Sequence, residues 1–414
     1  MAAATTGALP EGFLWGTAAS STQTEGAAPR SDWYAWEQAG RAPRSGDGNG
    51  FSTRFAEDFR LLAEYGLRQH RLSLEWARLE PERGRHDPGA IEHYTEVLRA
   101  ARDAGVDIWV CLHHFTLPGW FSQDEGGFLD ARSRLHWQRH VDWVAETFGD
   151  LVAGWKPINE PTFYALAGYR WGVHPPGRAD ATEFAQALEA IHLANHEAWR
   201  LLRNGGAPVA TIHSITPVYP AVRGRDPQER EEAERKAAHI DEVAWCGLRA
   251  LADGVLAVPG RAPIEVPEMA GSFDYIGFSY YCAQSIYVDG TGPYPADAEV
   301  GPMGYAPWAE GLGIVLRRLA DELPGRALLV DECGVGTDDD SWRVEVLRDS
   351  LTEVERAVAD GVDVRGFFHW TAVDNYEWDY GYRVRFGLFD RDRNPKPSAE
   401  LARAWATGSR ERTA

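Results

Sequence analysis

Residues 89–114 read GAIEHYTEVLRAARDAGVDIWVCLHH and predict a helix followed directly by a strand. In the first half, apolar residues recur with the period of a helix and share one face: Ile91, Tyr94, Val97, Leu98 and Ala101. Gly105 stands where a helix C-cap belongs. The apolar run DIWVCLHH (107–114) then has the length and composition of a buried strand. An amphipathic helix that alternates with such strands must pack on a sheet.

The same alternation of an apolar run and a helical segment recurs along the whole chain. The runs are GFLWGTAAS (12–20), QHRLSLEW (69–76), DIWVCLHH (107–114), VAGWKPIN (152–159), APVATIHS (207–214), FDYIGFSYY (273–281), ALLVDE (327–332) and VRGFFHW (364–370). The predicted helices cover 52–65, 89–104, 134–148, 181–204, 226–254, 308–322, 341–360 and 397–406. Strands separated by helices favour parallel pairing, because a parallel neighbour needs a crossover. The pattern predicts an α/β fold, a closed (β/α)8 TIM barrel that forms one domain over residues 1–414, with its core at about 10–408.

Charge and composition restrict the partners that the chain can bind. It has 42 Lys and Arg against 62 Asp and Glu, and the net charge of −20 repels nucleic-acid phosphates and anionic membrane surfaces. The first residues, MAAATTGALPEGFLWG, lack a basic segment followed by an apolar run, and no stretch has the ~18 apolar residues of a membrane span. We therefore expect a cytoplasmic protein that binds neither nucleic acid nor membrane. The 4 cysteines are widely spaced, which is typical of buried thiols and not of a disulfide framework or a metal site.

Polar side chains gather at the C-terminal ends of the predicted strands, where (β/α)8 barrels carry their chemistry. They are Glu25, Arg71, Glu75, His113, His114, Asn159, Glu160, Tyr280, Tyr281, Asp331, Glu332 and Trp370. A single glutamate at such a place is more often a helix N-terminal or ion-pair residue. Glu160 and Glu332, however, follow the fourth and seventh strands, so their carboxyl groups can face each other across the mouth of the ring. Glycoside cleavage requires one carboxyl to protonate the leaving oxygen and another to attack or stabilise the anomeric carbon.

Seven segments resemble glycoside hydrolase family 1, the β-glucosidase family, and occur in the family's order. They are WGTAASSTQTEG (15–26), HRLSLEWARLEP (70–81), LHHFTLPGW (112–120), WKPINEP (155–161), DYIGFSYY (274–281), VDECG (330–334) and WTAVDNYEWDYGYRVRFGL (370–388). The resemblance implies a retaining β-glycosidase that hydrolyses terminal β-D-glycosides or oligosaccharides without a metal or other cofactor.

Two of these segments imply the catalytic carboxyl groups. The family's TxNEP motif matches 157–161, so the resemblance makes Glu160 the general acid/base and Asn159 a donor to the sugar 2-hydroxyl. The TENG motif matches 331–334, which makes Glu332 the nucleophile.

Two further residues would support that nucleophile. Arg71 fits the family's arginine beside it, and Tyr281, the second tyrosine of the family's NYY triplet, would donate to the same carboxylate. A fixed guanidinium would keep Glu332 ionised, while Glu160 could remain protonated.

The resemblance also implies which residues bind the sugar. They are Gln23, His114, Asn159, Trp370, Glu377, Trp378 and Phe386. Gln23 and His114 would hold hydroxyls, Trp370 would stack beneath the ring, and Phe386 matches an aromatic residue at the pocket edge. Glu377 and Trp378 would bind the 4- and 6-hydroxyls, and a carboxylate beside the 6-position repels a phosphate there. Non-phosphorylated substrates are therefore implied.

Five residues depart from the family pattern. Phe115 replaces the tryptophan of the HW pair, which removes an indole donor to a sugar hydroxyl. Cys333 and Ser279 replace the asparagines of TENG and NYY, and His70 and Leu72 flank the arginine where the family usually has Tyr and Phe. We expect these last four near the nucleophile.

The implied mechanism is double displacement through a glycosyl-enzyme, with the two carboxyl groups about 5 to 5.5 Å apart. A transglycosylase would use the same covalent intermediate, and analysis of products with an added acceptor would distinguish the two. A sugar-binding barrel without catalytic activity is a third reading, although such a protein would be expected to lose one carboxylate. Residues 215–272 match the family poorly, so the aglycone stays open. The preference among glucose, galactose and fucose and any homo-oligomer are also left open.

Overall fold

Eight parallel strands form the central sheet of the computed structural model, which describes residues 9–130, 132–224 and 226–409. The strands are β1 (Leu14–Ala18), β2 (Gln69–Ser73), β3 (Asp107–His113), β4 (Gly154–Ile158), β5 (His213–Ser214), β6 (Tyr275–Tyr280), β7 (Ala327–Cys333) and β8 (Val364–Trp370). Their order is β4-β3-β2-β1-β8-β7-β6-β5, so each strand lies beside its neighbour in sequence and β8 pairs with β1. The ends of the predicted domain, residues 1–8 and 410–414, lie outside the described residues.

The segment that leads into β5 closes the sheet into a ring. Val209 forms a parallel bridge with Trp155 on β4, and Ala210 forms one with Tyr275 on β6. Backbone hydrogen bonds follow the same path, with the Ala210 N–H donating to the Trp155 carbonyl at 2.8 Å. The fifth strand was predicted over 207–214, but only its last two residues form a regular ladder. The (β/α)8 barrel is therefore confirmed. Isolated bridges replace a continuous ladder where the segment before β5 meets β4 and β6.

Within the described residues, eight helices pack around the ring, one after each barrel strand. They are α1 (Phe51–Glu64), α2 (Pro88–Ala104), α3 (Arg134–Phe148), α4 (Ala181–Leu202), α5 (Pro227–Asp253), α6 (Ala309–Glu322), α7 (Asp340–Ala359) and α8 (Pro397–Ala406). The sequence explains their ends, as α2 illustrates. The Asp87 carboxylate accepts the Ala90 N–H at 2.9 Å, and Gly105 ends the helix with φ at 71°.

Shorter elements lie in the loops between strands and helices. The short helices are Ser21–Glu25, Asp32–Gln38, Trp76–Leu79, Trp120–Asp124, Gly127–Leu129, Gly149–Leu151, Pro161–Ala165, Leu166–Arg170, Pro267–Met269 and Trp378–Tyr380. Strands Val218–Pro220, Ala283–Tyr287 and Gly290–Tyr294 form a second sheet, and Val255–Leu256 pairs with Ile264–Glu265. The loops after β5, α5 and β6 thus contain strands that the sequence pattern did not indicate.

The barrel interior contains a charged pair as well as apolar side chains. Lys156 on β4 donates to Asp331 on β7, and both side chains are fully buried. Gly277 on β6 leaves the space for this carboxylate, because a Cβ at that position would overlap Oδ2 of Asp331 and the carbonyl oxygen of Thr211.

We expect Gly277→Ala to lower the stability of the barrel by about 1–3 kcal/mol, since the added methyl overpacks a fixed backbone and a buried carboxylate. The measurement is the midpoint of urea unfolding followed by tryptophan fluorescence. Gly149→Ala is the matched control, because its Cβ would meet nothing within 4 Å and its φ is −54°. Equal midpoints for the two variants would contradict the packing described for Gly277.

Candidate active site

Glu332 lies at the C-terminal end of β7 between two hydrogen-bond donors. Arg71 on β2 donates from Nη2 to Oε1 of this carboxylate. The Tyr281 hydroxyl, directly after β6, donates to Oε2 at 2.6 Å. The Arg71 side chain is fully buried, and that of Glu332 is 5% exposed. Both donors stabilise the ionised form, so Glu332 is held as a carboxylate in a fixed orientation.

Arg71 is fixed in turn by two partners, which lie directly after β3 and β4. Its Nη1 donates to Oδ1 of Asn159 at 2.6 Å and lies 3.1 Å from Nδ1 of His114. A guanidinium only donates, so Nδ1 of His114 accepts and the ring proton lies on Nε2. Burial, with the nearby Arg71 charge, holds the pKa of His114 well below its usual value, and the ring is neutral. Nδ2 of Asn159 lies 3.5 Å from Nε2 of His114, so these two nitrogens face the same part of the site.

Glu160 follows β4 in a left-handed backbone conformation, with φ at 44°. Its N–H donates to the Ile212 carbonyl at 3.0 Å, which ties the residue to the segment that closes the ring. The helix Pro161–Ala165 begins directly after it. A positive φ is uncommon outside glycine and is held only where the surrounding structure enforces it.

The Glu160 carboxyl is in a different electrostatic environment from Glu332. Burial, followed by the negative charge of Glu332, raises the pKa of Glu160 to about 8. The Ser279 hydroxyl and the Arg71 charge offset only part of this rise. At neutral pH Glu160 therefore keeps its proton, whereas the Glu332 carboxylate is paired with the Arg71 guanidinium. When the environments of two neighbouring carboxyl groups differ in this way, one can act as an acid and the other as a nucleophile or base.

A third buried carboxyl, that of Glu377, lies in the loop after β8. It accepts from Nε1 of Trp370 and from Nε2 of Gln23, each at 3.1 Å. Gln23 also donates to the Tyr376 carbonyl at 2.8 Å, which fixes its amide. Burial is the largest cause that raises the pKa of Glu377 to about 8. A neutral carboxyl can both donate and accept hydrogen bonds, as recognition of hydroxyl groups requires.

Aromatic rings line the rest of this pocket. The His114 ring is nearly parallel to Trp370, with centroids 5.9 Å apart, and to Trp378, with centroids 6.0 Å apart. Phe386 contacts Tyr281 edge to face, with centroids 6.0 Å apart. The structure therefore brings together all the residues that the sequence assigned to catalysis and sugar binding. Flat apolar surfaces of this kind suit the C–H faces of a sugar ring.

The departures from the family pattern fall in two groups. Phe115 packs among the pocket rings, 5.5 Å from Trp378, and has φ at 70°. Ser279 acts on Glu160, whose pKa its hydroxyl lowers. Both therefore belong to the site, and Ser279 also lies beside the nucleophile as expected, since it pairs with Glu332 between β6 and β7.

The expectation was wrong for the side chains of Cys333 and His70. The Cys333 thiol is directed toward α7 and lies 3.7 Å from Oγ of Ser350. The His70 ring faces out of the barrel, where Nδ1 lies 2.8 Å from Oγ1 of Thr17. Leu72 likewise belongs to the core between the ring and the helices. Because successive residues of a strand face opposite ways, flanking residues of Arg71 point away from the pocket.

Several strand-end residues are structural. The Glu75 carboxylate accepts from Ser21 at 2.9 Å and Thr116 at 2.8 Å, and Glu25 accepts from Tyr94 at 3.0 Å. His113 packs against Phe128 and Tyr164, and Tyr280 donates to the Trp308 carbonyl at 2.5 Å. These contacts tie the loops to the barrel rim.

Sequence reasoning missed Tyr305 and the buried Lys156–Asp331 pair. Tyr305 lies 5.8 Å from the Tyr281 ring and interacts electrostatically with Glu160. It comes from a stretch without helix or strand periodicity, so no pattern identified it. The charged pair did leave a signal, since a lysine and an aspartate interrupt two otherwise apolar runs.

Within residues 9–130, 132–224 and 226–409, no group of three or more His, Cys, Asp or Glu is arranged to hold a metal ion. In the same ranges, every helix is too short or too polar to cross a membrane.

Several known proteins resemble this chain in sequence and in fold. The model of the family described as Glycosyl hydrolase family 1 matches residues 5–406. The chain is 26% identical over 435 residues to a 1,4-β-D-glucan glucohydrolase of Thermotoga neapolitana, covering 93% of this chain and 98% of that protein. A β-glycosidase structure from Pyrococcus horikoshii is 30% identical, with a TM-score of 0.84 over 96% of this chain and 94% of the other. A family 1 β-glucosidase from Thermotoga maritima has the same fold, with a TM-score of 0.87 at 23% identity over 96% and 98% of the two chains.

We expect Glu160→Gln to raise the melting temperature, and the increase to grow with pH. Folding raises the pKa of this carboxyl from 4.5 to about 8. The stability that the protonated Glu160 carboxyl contributes is therefore complete below about pH 4.5 and is lost as the pH rises through 8. Glutamine does not ionise, so the variant does not lose stability in this way. Calorimetry at pH 5, 7 and 9 should show the smallest gain at pH 5 and a gain of several degrees at pH 9.

The control for this prediction is Glu96→Gln, on the exposed face of α2. It should change the melting temperature little at any of these pH values. If the Glu160→Gln gain were the same at pH 5 and pH 9, the raised pKa of Glu160 would be contradicted.

Proposed function

The chain belongs to glycosyl hydrolase family 1, and on this premise we propose that it is a retaining β-glycosidase acting on terminal, non-phosphorylated β-D-glycosides. The observation that carries the proposal is the pair of buried carboxyl groups, of which Glu332 is paired with a guanidinium and Glu160 has its pKa raised to about 8. Glu160 is assigned as the general acid/base and Glu332 as the nucleophile.

In the first step, Glu332 attacks the anomeric carbon. An ester bond forms between Oε of Glu332 and this carbon as the glycosidic C–O bond breaks, and the Glu160 proton passes to the departing oxygen. Arg71 and Tyr281 keep the attacking carboxylate ionised and oriented. Positioning of this kind removes part of the entropic barrier before the chemical step begins.

In the second step, water replaces the aglycone. Forming the ester removes the negative charge of Glu332, which is one of the causes of the raised pKa of Glu160. The pKa of Glu160 therefore falls in the intermediate, and its carboxylate can now accept a proton from the attacking water. The water oxygen bonds to the anomeric carbon, the ester bond breaks, and the β configuration is restored.

Asn159 connects the nucleophile to the sugar. Its Oδ1 accepts from Arg71 at 2.6 Å, which fixes the amide and leaves Nδ2 to donate to the 2-hydroxyl. That bond is expected to strengthen in the oxocarbenium-like transition state.

The sugar pocket accounts for the proposed substrate class. Gln23 and His114 would bind hydroxyls, with Trp370 and Trp378 against the ring and Phe386 at the edge. Glu377 would bind the 4- and 6-hydroxyls from a buried position with no cation among its bonded partners. A phosphate on the 6-position would have to be desolvated beside this carboxyl without a compensating positive charge.

The assignment of the two carboxyl groups predicts the outcome of nucleophile rescue. Glu332→Gly should lower kcat for 4-nitrophenyl β-D-glucoside by several orders of magnitude, because no covalent intermediate can form. Azide should restore turnover and give an α-glycosyl azide, identified by NMR. Glu160→Ala with azide should give the β-glycosyl azide instead, since azide then attacks the intermediate formed on Glu332. The same anomer from both variants would contradict the assignment.

The role proposed for Glu377 predicts a change in specificity. Glu377→Gln should lower kcat/KM for a β-glucoside about 10-fold, because both oxygens of Glu377 accept hydrogen bonds and the amide NH2 of glutamine cannot accept at one of these positions. The loss should be smaller for the matched β-xyloside, which has no 6-hydroxymethyl group, and initial rates on both substrates measure this. Equal losses would show that Glu377 does not contact the 6-position.

A further inference from the structure

The buried ion pair of Lys156 and Asp331 connects the two strands that end in Glu160 and Glu332. Lys156 lies on β4 and Asp331 on β7, and both side chains have 0% exposure. These strands are not neighbours, because β5 and β6 lie between them in the ring. The ion pair therefore crosses the barrel interior.

An irregularity in β7 places the aspartate there. The pairing of β7 with β6 shifts in register between Val330 and Glu332. Such a bulge changes the normal alternation, so that consecutive residues can face the same side. Asp331 and Glu332 consequently both face inward, with the Asp331 carboxylate in the space left by Gly277.

The surroundings of the lysine are aromatic. Its Nζ lies 3.7 Å from the centroid of Phe368 on β8 and 4.9 Å from that of Trp109 on β3. Interior layers of such barrels are normally filled by branched apolar side chains. A buried ion pair has a large desolvation cost, and an apolar pair of similar size is often as stable or more stable. Stability alone therefore does not explain why the Lys156–Asp331 ion pair lies in the barrel interior.

The pair is close enough to the site to affect its electrostatics. Lys156 and Asp331 each interact with the charges of Arg71 and Glu332. Burial lowers the pKa of Lys156 to about 8 and raises that of Asp331 to about 6, so both are ionised between these values. The titratable and charged groups that face Glu332 are Arg71 on β2, Cys111 on β3, Lys156 and Glu160 on and after β4, Tyr281 after β6, Asp331 on β7 and Glu377 after β8.

We propose that Lys156 and Asp331 are positioning residues, which hold β4 and β7 together below the two carboxyl groups and balance the charge around Glu332. This inference rests on the proposed function. The strand connection keeps Glu160 and Glu332 at the separation that double displacement requires, and a misplacement of about 1 Å can lower a rate by two orders of magnitude. Because Lys156 and Asp331 balance each other's charge, Asp331 does not repel Glu332. For the same reason, Lys156 does not attract Glu332 away from Arg71.

Three variants test the proposal with 4-nitrophenyl β-D-glucoside as substrate. Lys156→Met leaves a carboxyl without its cation beside Glu332, and Asp331→Asn leaves an ammonium without its anion. The acid limb of the kcat/KM profile should therefore lie at lower pH in Asp331→Asn, which keeps a cation beside Glu332, than in Lys156→Met, which removes it, by on the order of one pH unit. The double variant Lys156→Met/Asp331→Asn has no uncompensated charge and should melt at or above the wild-type temperature. Its kcat should nevertheless fall at least about tenfold with little change in KM, because the connection between strands is lost.

Asp58→Asn is the matched control, since Asp58 forms a buried ion pair with Arg393 at 2.7 Å. It should lower the melting temperature and leave both the pH profile and kcat unchanged. Coincident acid limbs in the two single variants, together with wild-type kcat in a folded double variant, would overturn the inference while leaving the proposed function intact. A wild-type enzyme that hydrolysed no aryl β-glycoside would overturn the proposed function, and the inference with it.

Discussion

The buried contact between the Arg71 guanidinium and the Glu332 carboxylate is the constraint on which the rest of the site depends. A charge so fully removed from water is tolerated only when hydrogen bonds and an opposite charge replace its hydration. Arg71 obtains them from Asn159, His114 and Glu332, which lie on three different strands or their ends. The geometry of the pocket is therefore a consequence of closing the ring. Glu160 lies close enough to Glu332 to be affected by its charge but is buried without an equivalent cation, and the contrast between the two carboxyl groups is the basis of the proposed chemistry.

Much of the fold could be predicted from local patterns. Periodic apolar residues, an aspartate N-cap and a glycine C-cap fix a helix such as α2, and apolar runs between such helices fix the barrel strands. The fifth strand was the exception, because Val209 and Ala210 pair through single bridges whose geometry depends on β4 and β6. The second sheet, which includes Ala283–Tyr287, was also absent from the prediction. Its strands are short and partly exposed, so their apolar pattern is weak.

The candidate site was less predictable from local sequence patterns than the fold. The rule that barrels carry chemistry at strand ends narrowed the search, but it could not separate Glu160 from Glu75, since both follow apolar strands. Their roles differ because of partners distant in sequence. Hydroxyls of Ser21 and Thr116 satisfy Glu75, whereas Glu160 faces Glu332 across the ring. The resemblance of whole segments to a family made that distinction. It assigned no role to Lys156 and Asp331, whose pairing depends on a bulge in β7 and on the missing side chain of Gly277.

The most direct test of the account is a carbon-13 NMR titration of the wild-type protein labelled at the glutamate carboxyl carbons, with Glu160→Gln and Glu332→Gln used to assign the resonances. The Glu160 signal should change with a midpoint near pH 8. A Glu160 signal that is already that of a carboxylate at pH 6 would contradict the raised pKa of Glu160, on which the proposed chemistry depends.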